Sequence, residues 1–176
     1  MFVDVSTIAY TMRVMAPQST QIKLDALRSV LRARTTLVDR LETALRADDL
    51  PPLAWYDVLC ALDEADERGL RPRDLGYAVA LTPSGLTRLL DRIVAAGLVE
   101  RTICPSDRRG FTVTLTPSGR DTLELMRPVY LREVEAGFAS LLSADEAKIL
   151  ADVLERVSTS ACEVAGEMAP RPSVAA

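Results

Sequence analysis

Residues 82–117 decide the fold, and they read TPSGLTRLLDRIVAAGLVERTICPSDRRGFTVTLTP. Thr82 can cap a helix, Pro83 suits the first helical position, and Gly97 is placed to end the helix. Between these signals, aliphatic residues recur at the i, i+3, i+4, i+7 and i+8 spacing of one helix face: Leu86, Leu89, Leu90, Ile93 and Val94. The pattern therefore predicts an amphipathic helix over residues 83–96.

Beyond this helix the periodicity changes. Residues 98–104 are rich in side chains that favour strands, and residues 111–115 alternate apolar residues with threonine. The polar stretch at 105–110 lies between them and carries Arg108 and Arg109. We therefore predict a β-hairpin with an arginine-bearing turn.

A short helix and a tight turn precede the stretch. Pro72 suits the first position of a helix predicted over residues 71–79, and residues 80–81 form the turn before Thr82. Two helices joined by a tight turn and followed by a hairpin make a winged helix-turn-helix. In such a unit the second helix can enter the major groove of duplex DNA.

Long helical patterns flank this unit. Amphipathic spacing predicts helices over residues 20–47, 53–67 and 117–142, and Ser143 with Glu146 forms a capping box for a last helix that ends near Cys162. In the helix over residues 117–142, the side chains predicted to face inward are Leu123, Met126, Val129, Tyr130, Val134, Phe138 and Leu141. The predicted fold is mainly α: a winged helix-turn-helix lobe with a small β-hairpin wing, plus N- and C-terminal helices that form a dimerisation lobe.

This reading divides the chain into five segments. They are an N-terminal extension at 1–19, a dimerisation helix at 20–50, a winged helix-turn-helix DNA-binding domain at 53–116, C-terminal dimerisation helices at 117–163 and a disordered tail at 164–176. The terminal helices carry broad apolar faces that a winged-helix lobe is too small to cover. A homodimer is therefore expected.

The charges are unevenly distributed. The 176-residue chain has a net charge of −4. Residues 71–109, however, carry seven arginines against four acidic residues, whereas the segments before and after are net acidic. Arginine suits two-pronged hydrogen bonding to phosphate and guanine. The basic segment coincides with the winged helix-turn-helix, which favours double-stranded DNA as a partner.

Composition excludes several classes of function. The chain has no histidine, which excludes Ser-His-Asp and Cys-His catalytic systems and histidine-ligated zinc. It also has neither of the glycine-rich phosphate-binding loops. We therefore expect no enzyme activity, no metal and no cofactor. Three cysteines without a CxxC pair fit the reducing cytoplasm, and no apolar run approaches the ~20 residues of a membrane span.

Candidate DNA contacts lie on the exposed face of the helix over residues 83–96 and in the hairpin turn. The predicted major-groove residues are Ser84, Thr87, Arg88 and Arg92, and those predicted at the minor groove are Arg108 and Arg109, with Asp107 bracing the turn. The alternative is that Arg88 and Arg92 pair with Asp91 or with solvent. A separate alternative for Arg108 and Arg109 is that they only keep the turn soluble.

These residues resemble the MarR family of transcriptional regulators. Residues 107–119 match its wing pattern of Asp-x-Arg, five residues, Leu-Thr, two residues and Gly, and residues 85–101 are similar to its recognition helix. The resemblance implies a homodimer with intertwined terminal helices. It also implies a cleft for an effector, between the dimer helices and the DNA-reading lobe, and it places the candidate DNA contacts at the positions named above.

The resemblance leaves the effector open. No cysteine precedes Cys60, which disfavours oxidant sensing at the first helix, and Cys60 is interpreted as a small core residue. Cys104 is placed at the wing base, where oxidation would disturb DNA binding, but the neighbouring acidic residues Glu100 and Asp107 disfavour a reactive thiolate there, although Arg101 would favour one. A small aromatic or apolar effector remains, with Trp55 and Tyr56 either lining its cleft or packing in the core. The sequence thus predicts a dimeric, sequence-specific DNA-binding repressor that a ligand releases from a pseudo-palindromic operator. The alternative is a winged-helix module that binds protein.

Overall fold

The computed structural model describes residues 17–79, 81–104 and 107–165, and for residues 103–104, 107–109 and 161–165 it describes the backbone alone. Most of the predicted extension at 1–19 and of the predicted tail at 164–176 lies outside the described residues. Within them, no helix combines the length and the apolar character that crossing a membrane requires.

The chain forms two units, Met1–Asp39 and Arg40–Ala176. Helix α1 begins in the first unit and ends in the second. The helices are α1 (Gln18–Ala47), α2 (Leu53–Ala65), α3 (Pro72–Ala78), α4 (Pro83–Ala95), α5 (Pro117–Gly137) and α6 (Ala144–Ala165), with short 3-10 turns at Asp66–Arg68 and Ala139–Leu141. The strands are β1 (Val99–Cys104) and β2 (Asp107–Leu115).

The two strands form an antiparallel hairpin that directly follows the helix-turn-helix. Its register pairs Val99 with Leu115 and Ile103 with Phe111, and it becomes irregular between Ile103 and Cys104. The predicted fold class, mainly α with a helix-turn-helix and a small hairpin wing, is confirmed. The predicted helix starts at Leu53, Pro72, Pro83 and Pro117 are also confirmed.

The core of the second unit lies where α2, α4, α5 and the hairpin meet. Leu45 of α1 and Leu75 of α3 complete this core. The side chains that are essentially fully buried are Leu45, Val58, Leu59, Leu62, Leu75, Leu90, Ile93, Val99, Val113, Leu123 and Met126. Burying a side chain of this size stabilises the fold by about 1.5–3 kcal/mol relative to leaving it exposed. The predicted stripe of α4 therefore anchors that helix.

Hydrogen bonds of Thr116 hold the base of the hairpin against the helices on either side of it. The Thr116 N–H donates to the Leu98 carbonyl at 3.1 Å, and the Thr116 hydroxyl donates to the Gly97 carbonyl at 2.8 Å. The same hydroxyl oxygen accepts the Gly119 N–H at 3.0 Å, which caps α5. One threonine thus joins the exit of α4, the end of β2 and the start of α5.

The segment between α2 and α3 also holds the hairpin, through a pair of backbone hydrogen bonds. Leu70 and Val113 exchange both backbone hydrogen bonds, at 3.0 and 2.8 Å. Gly69 makes this approach possible, because it has a φ of +59° and a Cβ there would lie 2.5 Å from the Val113 carbonyl oxygen. The hairpin is therefore held at its base from two sides.

Several predicted boundaries are wrong. Helix α1 begins at Gln18 rather than 20, and α2 ends at Ala65 rather than 67. Helix α6 continues to Ala165 rather than ending near Cys162, so residues 164–165 of the predicted tail are helical. Strand β2 begins at Asp107 rather than 111, so the predicted polar turn at 105–110 is shorter, because strand pairing continues through the register irregularity. Helix α5 ends at Gly137 rather than 142. The backbone of Phe138 leaves the helical region, with φ −142° and ψ −61°, and a 3-10 turn follows.

The end of α5 changes which residues face the core. Leu123, Met126 and Val129 are buried as predicted, and Tyr130 and Val134 are half-buried. Phe138 and Leu141 are instead exposed, Leu141 by 73%. The predicted inward facing of these two residues is wrong because the helical period does not continue past Gly137.

Replacing Gly119 is expected to destabilise the fold. A Cβ at Gly119 would lie 2.0 Å from the Leu98 carbonyl oxygen, so one backbone must move. We expect Gly119→Ala to lower the free energy of unfolding by about 1–3 kcal/mol, as overpacking does. Urea denaturation followed by circular dichroism measures this.

Gly97 provides the matched control. It has a φ of +73°, but a Cβ there would meet nothing within 4 Å. Asparagine tolerates this backbone region, so Gly97→Asn is expected to cost less than about 1 kcal/mol. Equal losses for the two variants would contradict the steric explanation.

Candidate nucleic-acid interface

The turn between α3 and α4 is built from local hydrogen bonds and one buried leucine. The Leu81 N–H donates to the Gly76 carbonyl at 3.0 Å, which closes the turn. Leu75 of α3 is fully buried and fixes α3 against the core. The Thr82 hydroxyl accepts the Gly85 N–H at 3.3 Å, so the predicted cap of α4 is confirmed.

Helix α4 has one buried face and one exposed polar face. Leu86, Leu89, Leu90 and Ile93 are buried, and Val94 is half-buried. The exposed residues include Ser84, Thr87, Arg88, Asp91 and Arg92. The structure thus brings the four predicted major-groove residues together on the exposed side of one helix.

The predicted major-groove residues differ in what holds them. Arg88 is exposed and makes no ion pair with any side chain that the structure describes. The Thr87 hydroxyl donates to the Pro83 carbonyl at 2.9 Å, which leaves its lone pairs available to accept a hydrogen bond. Arg88 is therefore the arginine of α4 with most freedom to reach a ligand.

Arg92 is exposed, and its guanidinium lies near the Trp55 ring of α2. Its guanidinium carbon is 5.9 Å from the centre of the Trp55 ring, within the range of a cation–π contact. Trp55 opens α2 and is half-buried. The sequence did not reveal this contact, because the two residues are 37 positions apart and on different helices.

Asp91 pairs with an arginine that the sequence reasoning did not single out. Arg101 of β1 donates from Nη2 to Asp91 Oδ1 at 2.6 Å. The alternative in which Asp91 pairs with Arg88 or Arg92 is therefore wrong among the described residues. A signal existed in the sequence, since Asp91 and Arg101 flank the Gly97 turn that folds β1 back beside α4.

The wing residues are described by their backbone. Asp107, Arg108 and Arg109 begin β2, with the Cα of Asp107 paired to that of Cys104. Cys104 therefore ends β1 at the outer end of the hairpin, and its predicted place at the wing base is wrong, because the base is formed by Leu98 and Thr116. The side chains of Asp107, Arg108 and Arg109, and that of Cys104, lie outside the described residues. The roles predicted for Asp107, Arg108 and Arg109 stay predictions.

An aromatic pair lies between α2 and α5. The Tyr56 and Tyr130 rings stack with centroids 4.3 Å apart and planes 17° apart. Tyr56 is buried, and this burial raises its pKa to about 12. Tyr56 therefore packs in the core, whereas half-buried Trp55 remains a candidate for lining an effector cleft.

An ion-pair cluster also joins α2 to α5. Asp63 of α2 accepts hydrogen bonds from Arg120 at 2.8 Å and from Arg127 at 3.1 Å, both on α5. The sequence reasoning missed this cluster because its partners are 57 and 64 positions apart. It fixes the helix that carries Trp55 relative to α5.

The Cys60 thiol is half-buried beside the aromatic pair, as expected for a small core residue. Burial raises the pKa of the thiol, and a hydrogen bond with the Tyr56 hydroxyl opposes that rise. A thiol with a raised pKa carries less thiolate near neutral pH and reacts slowly.

Cys60 is therefore expected to alkylate slowly at pH 8. In a Cys104→Ser/Cys162→Ser background, the rate of iodoacetamide alkylation should rise only at a higher pH than for a free cysteine. Adding Tyr56→Phe removes the hydrogen bond that lowers the Cys60 pKa. The plot of alkylation rate against pH should then shift further toward high pH. A profile like that of free cysteine would contradict this reading.

A sequence profile described as the MarR family matches residues 48–110. The Escherichia coli multiple antibiotic resistance protein MarR is 31% identical over 125 residues, which cover 69% of this chain and 85% of that protein.

Solved structures show the same architecture. Sco3205, a MarR family transcriptional regulator from Streptomyces coelicolor solved in complex with DNA, matches with a TM-score of 0.75 and 29% identity over 82% of this chain and 92% of its own. Bordetella bronchiseptica BpsR, whose DNA binding is regulated by 6-hydroxynicotinic acid, matches with a TM-score of 0.65 and 27% identity over 76% of this chain and 98% of its own.

Proposed function

The chain belongs to the MarR family of transcriptional regulators, and on that premise we propose that it is a homodimeric repressor that binds a specific, pseudo-palindromic DNA operator and is released by a small ligand. The observation that carries the proposal is the division of α4 into a buried leucine face and an exposed face of hydroxyl and guanidinium groups.

The proposed DNA contacts have complementary chemistry. Ser84, Thr87, Arg88 and Arg92 would face the major groove, where arginine can donate two hydrogen bonds to guanine and hydroxyl groups can reach phosphates. Arg108 and Arg109 at the start of β2 would reach the adjacent minor groove, with Asp107 bracing them.

Exposed apolar residues support the homodimer. On α6, Ile149, Val153 and Val157 recur every four residues and are exposed by 39–63%. On α1, Ile22, Leu27 and Leu31 are exposed by more than half. A two-fold dimer through these helices would set the two α4 helices one DNA turn apart, about 34–36 Å. The operator would then be pseudo-palindromic.

Regulation of BpsR by 6-hydroxynicotinic acid supports a small aromatic effector for this chain. Trp55 is the candidate contact, because it is half-buried and lies against Arg92 of α4. Tyr56 would contribute as its buried neighbour. A ligand releases DNA only if it binds the geometry that does not fit DNA more tightly.

The first test is the salt dependence of binding to the DNA upstream of the chain's own gene. Neutralising phosphates with arginine releases counterions, so the affinity should fall steeply between 50 and 200 mM salt, by about 10³-fold or more if six phosphates are contacted. Fluorescence anisotropy with that duplex and a scrambled one measures both affinity and preference. A flat response, or equal binding to both duplexes, would favour the protein-binding module.

Arg88 is expected to determine specificity. Arg88→Ala should lower the affinity for the upstream duplex by about 1–3 kcal/mol and relax discrimination against the scrambled duplex. Arg46→Ala is the matched control, because Arg46 is an exposed arginine in the last turn of α1 and belongs neither to α4 nor to the hairpin. If Arg88→Ala keeps the ratio of the two affinities unchanged, the assignment of this face is wrong.

A further inference from the structure

Asp91 is an acidic residue on the face that is proposed to meet phosphates. It lies between Arg88 and Arg92, yet its carboxylate is bonded to Arg101 of β1 at 2.6 Å. Among the side chains that the structure describes, this is the polar contact that joins α4 to the hairpin. A carboxylate at such a position weakens DNA binding by its charge alone, so its presence calls for another role.

Arg101 is held from a second side by the hairpin itself. Its guanidinium carbon lies 5.3 Å from the centre of the Phe111 ring. The register pairs Arg101 with Val113 and Phe111 with Ile103, so Arg101 and Phe111 are diagonal neighbours on one face of the hairpin. The guanidinium thus bridges a carboxylate of α4 and an aromatic ring of β2.

We propose that Asp91 and Arg101 are positioning residues that set the angle between the recognition helix and the wing. This inference rests on the proposed function. Backbone hydrogen bonds hold the hairpin at its base through Leu70, Val113 and Thr116, and Arg101, paired with Val113, lies at the outer limit of this held part. Cys104, the last residue of β1, lies three positions beyond Arg101, about 10 Å along the strand, so a rotation of the hairpin at Arg101 moves its outer end.

The proposal and simple electrostatics predict opposite changes in DNA affinity when the Asp91 charge is removed. Removing the Asp91 charge reduces repulsion of phosphate and would by itself tighten binding. If the pair sets the wing angle, the same change frees Arg101 and weakens binding. The sign of the effect therefore separates the two explanations.

The experiment compares Asp91→Asn with Glu100→Gln in the full chain, using the duplex from upstream of its own gene. Glu100 is the matched control because it is exposed, adjoins Arg101 and takes only a 3.5 Å contact from Thr114. We expect Asp91→Asn to weaken binding about threefold to tenfold, and Glu100→Gln to leave it unchanged or tighten it. Tighter binding by Asp91→Asn would overturn the proposal.

A double-mutant cycle adds a test at constant charge. The variant Asp91→Asn/Arg101→Gln has the same net charge as the original chain, and it should still bind about threefold to tenfold more weakly. It should bind no more weakly than Arg101→Gln alone. The slope of affinity against salt should stay unchanged in Arg101→Gln, because a positioning residue does not neutralise a phosphate. If the slope of log affinity against log salt concentration falls in magnitude by about one, Arg101 contacts a phosphate, and the proposal is overturned.

Thermal unfolding separates positioning from folding. The Asp91 and Arg101 side chains are 57% and 36% exposed, so the melting temperatures of the variants should stay close to that of the original chain. Arg101→Lys keeps the charge and an ion pair and should retain most of the affinity.

If the original chain shows no preference for the upstream duplex, the proposed function fails. If it binds specifically and the variants bind equally well, the positioning role alone fails.

Discussion

The architecture depends on the junction at Thr116. Its hydroxyl donates to the Gly97 carbonyl and accepts the Gly119 N–H, and its backbone N–H donates to the Leu98 carbonyl. Because Gly119 has no Cβ, α5 can begin directly against Leu98. This junction makes the exit of α4, the return strand and α5 one rigid corner. A displacement of α5 would therefore be transmitted to the recognition helix and the wing together.

Local chemistry was readable from the sequence. The caps at Thr82 and Ser143 and the apolar stripe of α4 depend on residues within one or two turns of each other, and each is confirmed. Predictions from periodicity were wrong where the backbone changed direction. It continued α5 past Gly137, and it shortened β2, whose pairing depends on the partner strand. The exposed face of α4 was predicted, whereas the Arg92–Trp55 and Asp91–Arg101 contacts join distant segments and required coordinates.

The structure also changes the meaning of the acidic total charge. Two carboxylates outside α4 and the hairpin form ion pairs between helices. Glu133 pairs with Arg40 and joins α5 to α1. Asp63 pairs with two arginines and joins α2 to α5. Asp91, the acidic residue of α4, is neutralised by Arg101. The exposed face of the recognition helix therefore carries the cations Arg88 and Arg92 without a competing free carboxylate on that helix.

The stacking of Arg92 on Trp55 has a spectroscopic consequence. Trp55 is the single tryptophan of the chain, and its ring lies against a guanidinium on the recognition helix. Indole emission depends on nearby charge and on solvent access. This chain therefore carries a single indole fluorophore beside the helix that is proposed to enter DNA. Rearrangement of that helix can then be followed as an optical signal, without attaching a label.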